Sequence, residues 1–553
     1  FALLMTAAKI DPSFLDCKLM PRVLDMPGHN FSKPVYELLR EFYMGEDKTV
    51  MEETMKAFEL LEQADNLGSI MKFDLSTKTR REMALRYKEW NEVETDSPVK
   101  EILHSVGLIL SLTDKYTSVC ANPPYMNSGK MNKDLSNYVR RYYEAGKEDL
   151  FAVFMLAIKE RVQEHGKYGM ITMLAWMFLS SFEEMRRNLI CDYQIDSLLH
   201  LGPRTFDELS GEVVQNSAFV VSMHDIKTKS AFLRLISGSS SSEKEILFLQ
   251  AKEGGSLRYI IQPKVLQVIP GCPVAYWVTE RMLQIFSDSE DISSDLMCIQ
   301  GIITGNTEKY IRLWSEISSD KLLVNSKSFS DEKYWVAYTK GGPFRKWYGN
   351  NDHVIYWKDH GDNLVRNKRV FSSYYLKPCF TWTMIGSTKF SVRYCFEGFL
   401  WDVSGSIGFP QNEHWEYTLG LLNSKITDTI INILNPTLNT NIENIKAIPV
   451  AVDKNKIAII NDLVSSSIRI ASSDWDANET SWDFNENELI RIYKENHSAD
   501  VDMDANQLKD IVTLYKEYWT AQFNQLHANE EELNRQFIEI YGLQDELTPD
   551  VPL

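Results

Sequence analysis

The ten residues CANPPYMNSG, Cys120 to Gly129, constrain this chain more than any other stretch. The apolar run KYTSVCA (115–121) predicts a strand, and Asn-Pro-Pro-Tyr directly after it is poor material for a helix or for the middle of a strand. Downstream, DLFAVFMLAIKERVQEHG (149–166) is apolar at helical spacing and closes on Gly166 as a C′ residue, and KYGMITML (167–174) predicts the next strand. Strand, loop, helix, strand is a crossover unit, which places its two strands in parallel. In open parallel sheets, ligands bind beyond the carboxyl ends of the strands, where this tetrapeptide stands.

Pro124 fixes its own φ and pushes Pro123 into an extended geometry, so the loop is stiff and its carbonyls stay unpaired. The side-chain oxygen of Asn122 and the carbonyl of Pro123 then form two convergent acceptors, and Tyr125 supplies a flat face. Two acceptors and a stacking ring suit a flipped-out base with an exocyclic amine. The amine lone pair is delocalised into the ring, and holding both N–H groups pulls the nitrogen toward tetrahedral geometry and frees it for attack. Such a base must first rotate out of its duplex. The alternative is a rigid turn at a strand end, since Asn-Pro and Pro-Pro are common turn markers.

At 553 residues the chain is too long for one core, and roughly two to four domains are expected. Hydrophobic content of 44% and charged content of 25% are ordinary for a soluble globular protein. No run approaches the about 18 apolar residues that would span a bilayer, and FALLMTAAKIDPSF at the start lacks a basic n-region and a cleavage site. A cytoplasmic protein with no membrane partner is the expectation. The seven cysteines (17, 120, 191, 272, 298, 379, 395) include no C-x-x-C pair and no zinc spacing, so reduced thiols and no metal site are expected.

Residues 1–235 alternate helices with short apolar strands, an α/β pattern, with YQIDSLLHL (193–201) and SAFVVSMH (217–224) as further strands and a helical insertion at about 33–112. LISGSSSSEKE (235–245) and FSDSEDISSD (286–295) mark surface breaks, which makes 236–296 a connecting segment. From 297 to 450, Gly, aromatic and basic residues crowd together, and 451–553 is polar, acidic and helical. The net charge of −18 divides unevenly, with +3 over 301–450 and −13 over 451–553. A basic middle beside an acidic tail permits nucleic-acid binding in the middle only. There Lys309, Tyr310, Arg312, Arg345, Lys346, Trp347, Arg366, Lys368, Arg369, Lys389 and Arg393 interleave charge with aromatics, as phosphate contacts with some groove-reading members would require. A solvated face over an aromatic core is the competing reading. The acidic tail would be repelled by DNA and is expected to pack on the protein or dock a partner. Trp475, Trp482 and Phe484 are its candidate anchors.

NPPY resembles catalytic motif IV of the S-adenosylmethionine-dependent N6-adenine DNA methyltransferases. The likeness continues through GKYGMITMLAWMFLSSFEEMRRNLI and LHLGPRTFDELSGEVVQNSAFVV, which look like later strands and a helix of that catalytic domain. GIITGNTEKYIRLW, YTKGGPFRKWYGNNDHVIYW, LNPTLNTNIENIKAIPV, DWDANETSWDF and EEELNRQFIEIYGLQDELTPDV resemble a narrower family, the adenine methyltransferases of bacteriophage exclusion (BREX) systems. The resemblance implies a Rossmann-like S-adenosylmethionine-dependent methyltransferase domain in residues 1–235, then a mixed α+β target-recognition domain at 297–450 and a helical C-terminal region. It implies site-specific adenine N6-methylation of double-stranded DNA in phage defence, with other BREX subunits as further partners. In this reading Asn122 and Pro123 bind the adenine amine, Pro124 stiffens the loop and Tyr125 stacks on the base. The DNA contacts would come from Lys309, Arg312, Arg345, Lys346, Trp347, Arg366, Lys368 and Arg369.

The family also needs a glycine turn after its first strand to hold S-adenosylmethionine. Residues 1–121 offer only LGS (67–69), while GIITG (301–305) and SGSIG (404–408) fall in the segment read as target recognition. FALLMTAAKI resembles the helix that follows the family's second strand, and KLMPRVLDM (18–26) a following sheet strand. The expectation is therefore an N-terminally truncated methyltransferase domain that lacks the cofactor loop and binds the cofactor weakly or not at all. Methyltransferases acting on RNA bases or protein glutamine also carry NPPY, and the basic, aromatic middle favours DNA over both. A non-catalytic DNA-binding or scaffold subunit of a defence complex is the alternative from another class. No PD-(D/E)xK strand pair or Walker lysine loop points to a nuclease or an NTPase.

Overall fold

The computed structural model describes Lys9 and residues 24–27, 30–42, 47–91, 97–206, 214–224, 228–384, 389–436, 440–496 and 505–552. All of FALLMTAAKI but Lys9, and most of KLMPRVLDM, lie outside the described residues, and Leu24 to Met26 form no regular element. The chain divides into two compact units, one of residues 1–176 and 181–264, the other of 177–180 and 265–553.

The first unit opens with helices α1 (Lys33–Phe42), α2 (Lys48–Leu61), α3 (Thr77–Asn91) and α4 (Ser97–Thr113). Their apolar faces bury Val35, Leu39, Val50, Phe58, Leu61, Met83, Ile102, Val106 and Ile109 in one cluster, which also takes in Leu135, Val139 and Val153. Burial of such stripes, more than helix propensity, holds a helical segment of this kind. Strand β1 (Tyr116–Ala121) follows, then α5 (Lys133–Tyr142), α6 (Leu150–Lys159), β2 (Val162–Met173), α7 (Glu183–Asp192), β3 (Gln194–Gly202), β4 (Asn216–Ser222), β5 (Ser230–Arg234), α8 (Ser241–Glu253) and β6 (Arg258–Ile261). The six strands form one sheet in the order β1-β2-β4-β3-β5-β6. β1 and β2 pair in parallel, as the crossover pattern predicts, whereas β4 runs antiparallel to both β2 and β3.

Two local expectations need correction. α6 stops at Lys159, and Gly166 lies inside β2 rather than past a helix end. The β1–β2 register slips between Tyr116↔Val162 and Ser118↔Lys167, so the residues between fold into a bulge. A Cβ on Gly166 would sit 2.8 Å from the Thr117 carbonyl and 2.7 Å from Val162, so glycine is needed for strand packing there. The serine run, expected as a loop, carries the start of α8: Ser240 caps it through Glu243 N, and Glu243 accepts from Ser239 N at 2.8 Å. With β6 pairing on β5, residues 236–264 complete the first unit instead of connecting two domains.

In the second unit, β7 (Leu296–Ile299) is followed by β8 (Ile311–Leu313), β9 (Leu322–Leu323), β10 (Trp335–Thr339), β11 (His353–Tyr356), β12 (Cys379–Trp382), β13 (Val392–Cys395), β14 (Phe399–Trp401) and β15 (Ile407–Pro410). One sheet runs β9-β10-β11-β8 with β14 added on β10, and a second runs β13-β12-β15-β7. Tyr338, Trp357, Trp401 and Phe409 are buried between them. Much of the aromatic content of 297–450 is therefore core. Helices α9 (Trp415–Leu422), α10 (Lys425–Leu434), α11 (Ile457–Asp476), α12 (Glu488–Asn496) and α13 (Ala505–Tyr541) complete the unit. Among the described residues no helix is long and apolar enough to cross a membrane, and no cluster of His, Cys, Asp and Glu could hold a metal ion.

Candidate active site

β1 delivers Asn122 at its carboxyl end, and residues 122–126 take no regular structure. Pro123 is buried, which anchors the loop, while Asn122 is exposed and its side chain has no hydrogen-bond partner among the described residues. An uncommitted amide oxygen beside a buried, rigid proline is what a base-binding loop needs before its ligand arrives.

The rest of the loop is tied down from two directions. Asp149 caps α6 by accepting from Phe151 N at 3.3 Å, and the same oxygen accepts from Met126 N at 3.1 Å. Leu150 N returns to the Met126 carbonyl at 2.9 Å, and Ser128 N to the Glu148 carbonyl at 2.9 Å. Burial pushes the Asp149 carboxyl up, against the pull of its backbone donors. From the sheet, Asn216 Nδ2 donates to the Tyr125 hydroxyl at 2.9 Å and to the Thr172 carbonyl at 3.3 Å. Phe151 meets the Tyr125 ring edge-on, with centroids 6.4 Å apart. Burial raises the Tyr125 phenol above its ordinary value, so it stays protonated at neutral pH. The structure thus draws Asn122 to Tyr125 together with Asp149, Asn216 and Phe151. The last three carry no sequence signal of their own, although Asn216 stands in QNSAFVV and Asp149 directly precedes an apolar helix, the place of an N-cap.

The two glycine turns of the second unit, GIITG and SGSIG, do not fit S-adenosylmethionine, whereas Gly68 of LGS, at φ +51°, stands in open space. In GIITG, a Cβ on Gly301 would lie 2.0 Å from the Asp402 carbonyl oxygen, and in SGSIG a Cβ on Gly405 would lie 2.9 Å from Gly341 N. Both glycines serve backbone-to-backbone packing inside the second unit, which leaves no room for a ligand.

The cationic residues of the second unit fall into two groups. Arg345, Lys346 and Trp347, expected at DNA, are engaged with the acidic helices instead. Arg345 bonds Asp474 and lies 5.1 Å from the Trp475 ring, Lys346 pairs with Glu530 at 2.9 Å, and the buried Trp347 donates its indole N–H to Glu530 at 2.7 Å. Arg393 is buried, and burial brings its guanidinium down to about 10. Charge that looks like a phosphate site in sequence is here spent on holding the acidic tail, and Trp482 adds an apolar anchor against Phe399 at 5.8 Å. Lys309 and Arg369 remain exposed, and Arg312, Arg366 and Lys368 half-buried. Arg366 exchanges two backbone hydrogen bonds with Ile303 (2.9 and 3.0 Å), which brings the segments carrying these five cations side by side.

Residues 36–206 match the Eco57I restriction-modification methylase family. Along its whole length the chain is 33% identical to the adenine-specific methyltransferase PglX of Lacticaseibacillus casei (strain Zhang), covering 47% of that protein. Over 79% of its length it is 31% identical to the adenine-specific methyltransferase BrxX of Escherichia coli O9:H4 (strain HS), covering 36% of it. Among solved structures, the Type IIL restriction-modification enzyme MmeI in complex with DNA aligns with a TM-score of 0.47 at 10% identity, covering 93% of this chain and 69% of that one. The chain spans about half the length, or less, of the curated relatives it matches. With NPPY held at the end of a parallel strand inside the segment that matches the methylase family, the chain is similar along its whole length to the adenine-specific methyltransferase PglX and along most of it to BrxX.

Proposed function

We propose that the chain carries the base-binding half of a site-specific DNA adenine N6-methyltransferase of a BREX-type phage-defence system, with double-stranded DNA as substrate and other subunits of that system as partners. The observation that carries this reading is the loop 122–125, with a free amide oxygen on Asn122 and a Tyr125 ring held by Asn216. An adenine rotated out of its duplex stacks on Tyr125, and its N6 amine donates one N–H to Asn122 Oδ1 and the other to the Pro123 carbonyl. These neutral acceptors draw the nitrogen toward tetrahedral geometry and return its lone pair for bonding to carbon. Neither acceptor changes charge, so the residues named here polarise the amine without deprotonating it first. S-adenosylmethionine is the methyl donor this family implies. The glycine turns of the second unit do not fit it. Lys309, Arg312, Arg366, Lys368 and Arg369 are the proposed DNA contacts of the second unit, with its two sheets as the target-recognition part.

A non-catalytic DNA-binding or scaffold role is the second reading, and the closed packing of the GIITG and SGSIG glycines in the second unit favours it. Transfer of labelled methyl groups from S-adenosylmethionine to duplex DNA, with N6-methyladenine read by mass spectrometry, separates the two. Methylation by this chain, abolished by Asn122→Ala with DNA binding intact, supports the enzyme. DNA binding without methylation, by the chain and by its longest natural form alike, sinks the enzyme reading.

A further inference from the structure

Val365 and Val370 are 73% and 84% exposed, among the most exposed large hydrophobic side chains of the chain. They bracket Arg366, Asn367, Lys368 and Arg369. The segment is held in place, because Arg366 pairs through its backbone with Ile303 in both directions. Beneath Val365 lies Gly305, at φ +76°, where a Cβ would come within 2.4 Å of the valine side chain. The charges are unusually placed as well. Arg369 has a counter-ion in Asp362, but Arg366 and Lys368 meet no carboxylate within ion-pair distance among the described residues. The Arg366 Nε is buried without a partner, and its Nη2 reaches only the Gly301 carbonyl, at 3.5 Å. Lys368 adopts a left-handed backbone (φ 57°) that costs a lysine conformational energy. Burial, and after it the neighbouring Arg366 charge, lower its pKa, and its ammonium lies 6.0 Å from the centre of the Phe371 ring.

An uncompensated cation pair calls for an anion, and two exposed valines beside it call for apolar contact in the same partner. Duplex DNA offers both in its major groove, phosphate oxygens along the rim and thymine C5-methyl groups within. We infer that residues 365–370 form a DNA-contacting edge in which Arg366 and Lys368 bind backbone phosphates while Val365 and Val370 rest against thymine methyl groups. This inference rests on duplex DNA being the substrate, and it adds a base preference to it.

Removing only the thymine methyl tests it directly. Fluorescence anisotropy would compare a pool of 30-base-pair duplexes randomised at their centre with the same pool made with deoxyuridine in place of thymidine. One buried methyl group corresponds to about a four-fold change in affinity. The whole chain is expected to prefer the thymidine pool by about that factor, and a Val365→Ala/Val370→Ala double variant to lose the preference while keeping its salt dependence. Arg366→Ala and Lys368→Ala are each expected to weaken both pools alike and to lower the slope of log affinity against log salt by about 0.9. Equal affinity for the two pools, or a preference that survives the valine substitutions, overturns the valine role. Unchanged salt slopes overturn the phosphate role. Double-stranded RNA competing as well as DNA marks a general polyanion surface and also overturns the inference. No salt-dependent binding to any duplex rejects the underlying DNA reading itself.

Discussion

Asn216, on the antiparallel strand β4, donates from its side-chain amide to the hydroxyl of Tyr125, which stands 91 residues earlier in the loop beyond β1. The same amide nitrogen holds the Thr172 carbonyl on β2, so the orientation of the Asn216 side chain is fixed by two acceptors. The ring proposed to stack on a base is therefore held by the sheet and not by its own loop alone. Asn216→Leu removes the donor at nearly constant volume and is expected to cost about 1–2 kcal/mol in stability, because the Thr172 carbonyl and Tyr125 hydroxyl lose a partner. Tyr125→Phe keeps the stacking face but not the hydroxyl. If Asn216 acts through Tyr125, base capture read by 2-aminopurine fluorescence falls in each single variant and no further in the double. Additive losses would show that Asn216 serves the sheet only.

Asp149 ties the loop to α6 through Met126 N and Phe151 N. Asp149→Ala removes an N-cap and leaves a backbone N–H unpaired, with an expected loss of about 1–2 kcal/mol in urea unfolding of the first unit. Asp149→Asn keeps an acceptor and should lose less than half as much. Equal losses in the two variants would mean that the carboxylate charge, and not the hydrogen bonds, holds the loop.

Glu530 on α13 receives both Lys346 and the Trp347 indole N–H, and the Lys346–Glu530 pair is largely shielded from solvent. Glu530→Ala leaves a shielded ammonium without its counter-ion and is expected to destabilise the second unit by about 3 kcal/mol, whereas Glu530→Gln keeps an acceptor for the indole and should cost less. Thermal unfolding of the variants gives the ranking. If Lys346 and Trp347 were instead free to bind DNA, Glu530→Ala would raise DNA affinity with no loss of stability.

His200, buried on β3, is pushed down to about 3 by burial, with Arg234 and Lys244 adding to the effect. Unfolding restores an ordinary imidazole near 6.5, so below that pH the unfolded chain binds a proton that the folded chain does not. Stability is then full above about pH 6.5 and falls as the pH drops. Between pH 6.5 and 5, before most carboxylates titrate, the expected loss is about 2 kcal/mol. His200→Gln should flatten this part of the curve. A wild-type melting temperature that does not change between pH 7 and 5 would contradict the buried neutral imidazole.

The loop NPPY, the strands around it, the parallel pairing of β1 with β2 and the helical run before β1 were legible in the sequence. Each rests on local rules: the geometry proline imposes, apolar period, and the length of a crossover. Gly166 and the serine run were misread for a related reason. A glycine at a helix end and one in a strand bulge look alike until the partner strand is present, and serines mark a loop and a helix cap equally well.

What only the tertiary structure decided is which polar groups already have partners. Charge in a sequence carries no counter-ion, so Arg345, Lys346 and Trp347 read like Arg366 and Lys368. Folding brings Asp474 and Glu530, more than a hundred residues away, against the first three, while Arg366 and Lys368 meet no carboxylate among the described residues. Likewise, the sequence by itself determined that Asn122 to Tyr125 form a rigid, acceptor-rich loop, because proline geometry is local. That Asn216 and Asp149 hold this loop was decided by strand register and helix placement, since contacts across 91 and 23 residues exist only once the sheet has formed.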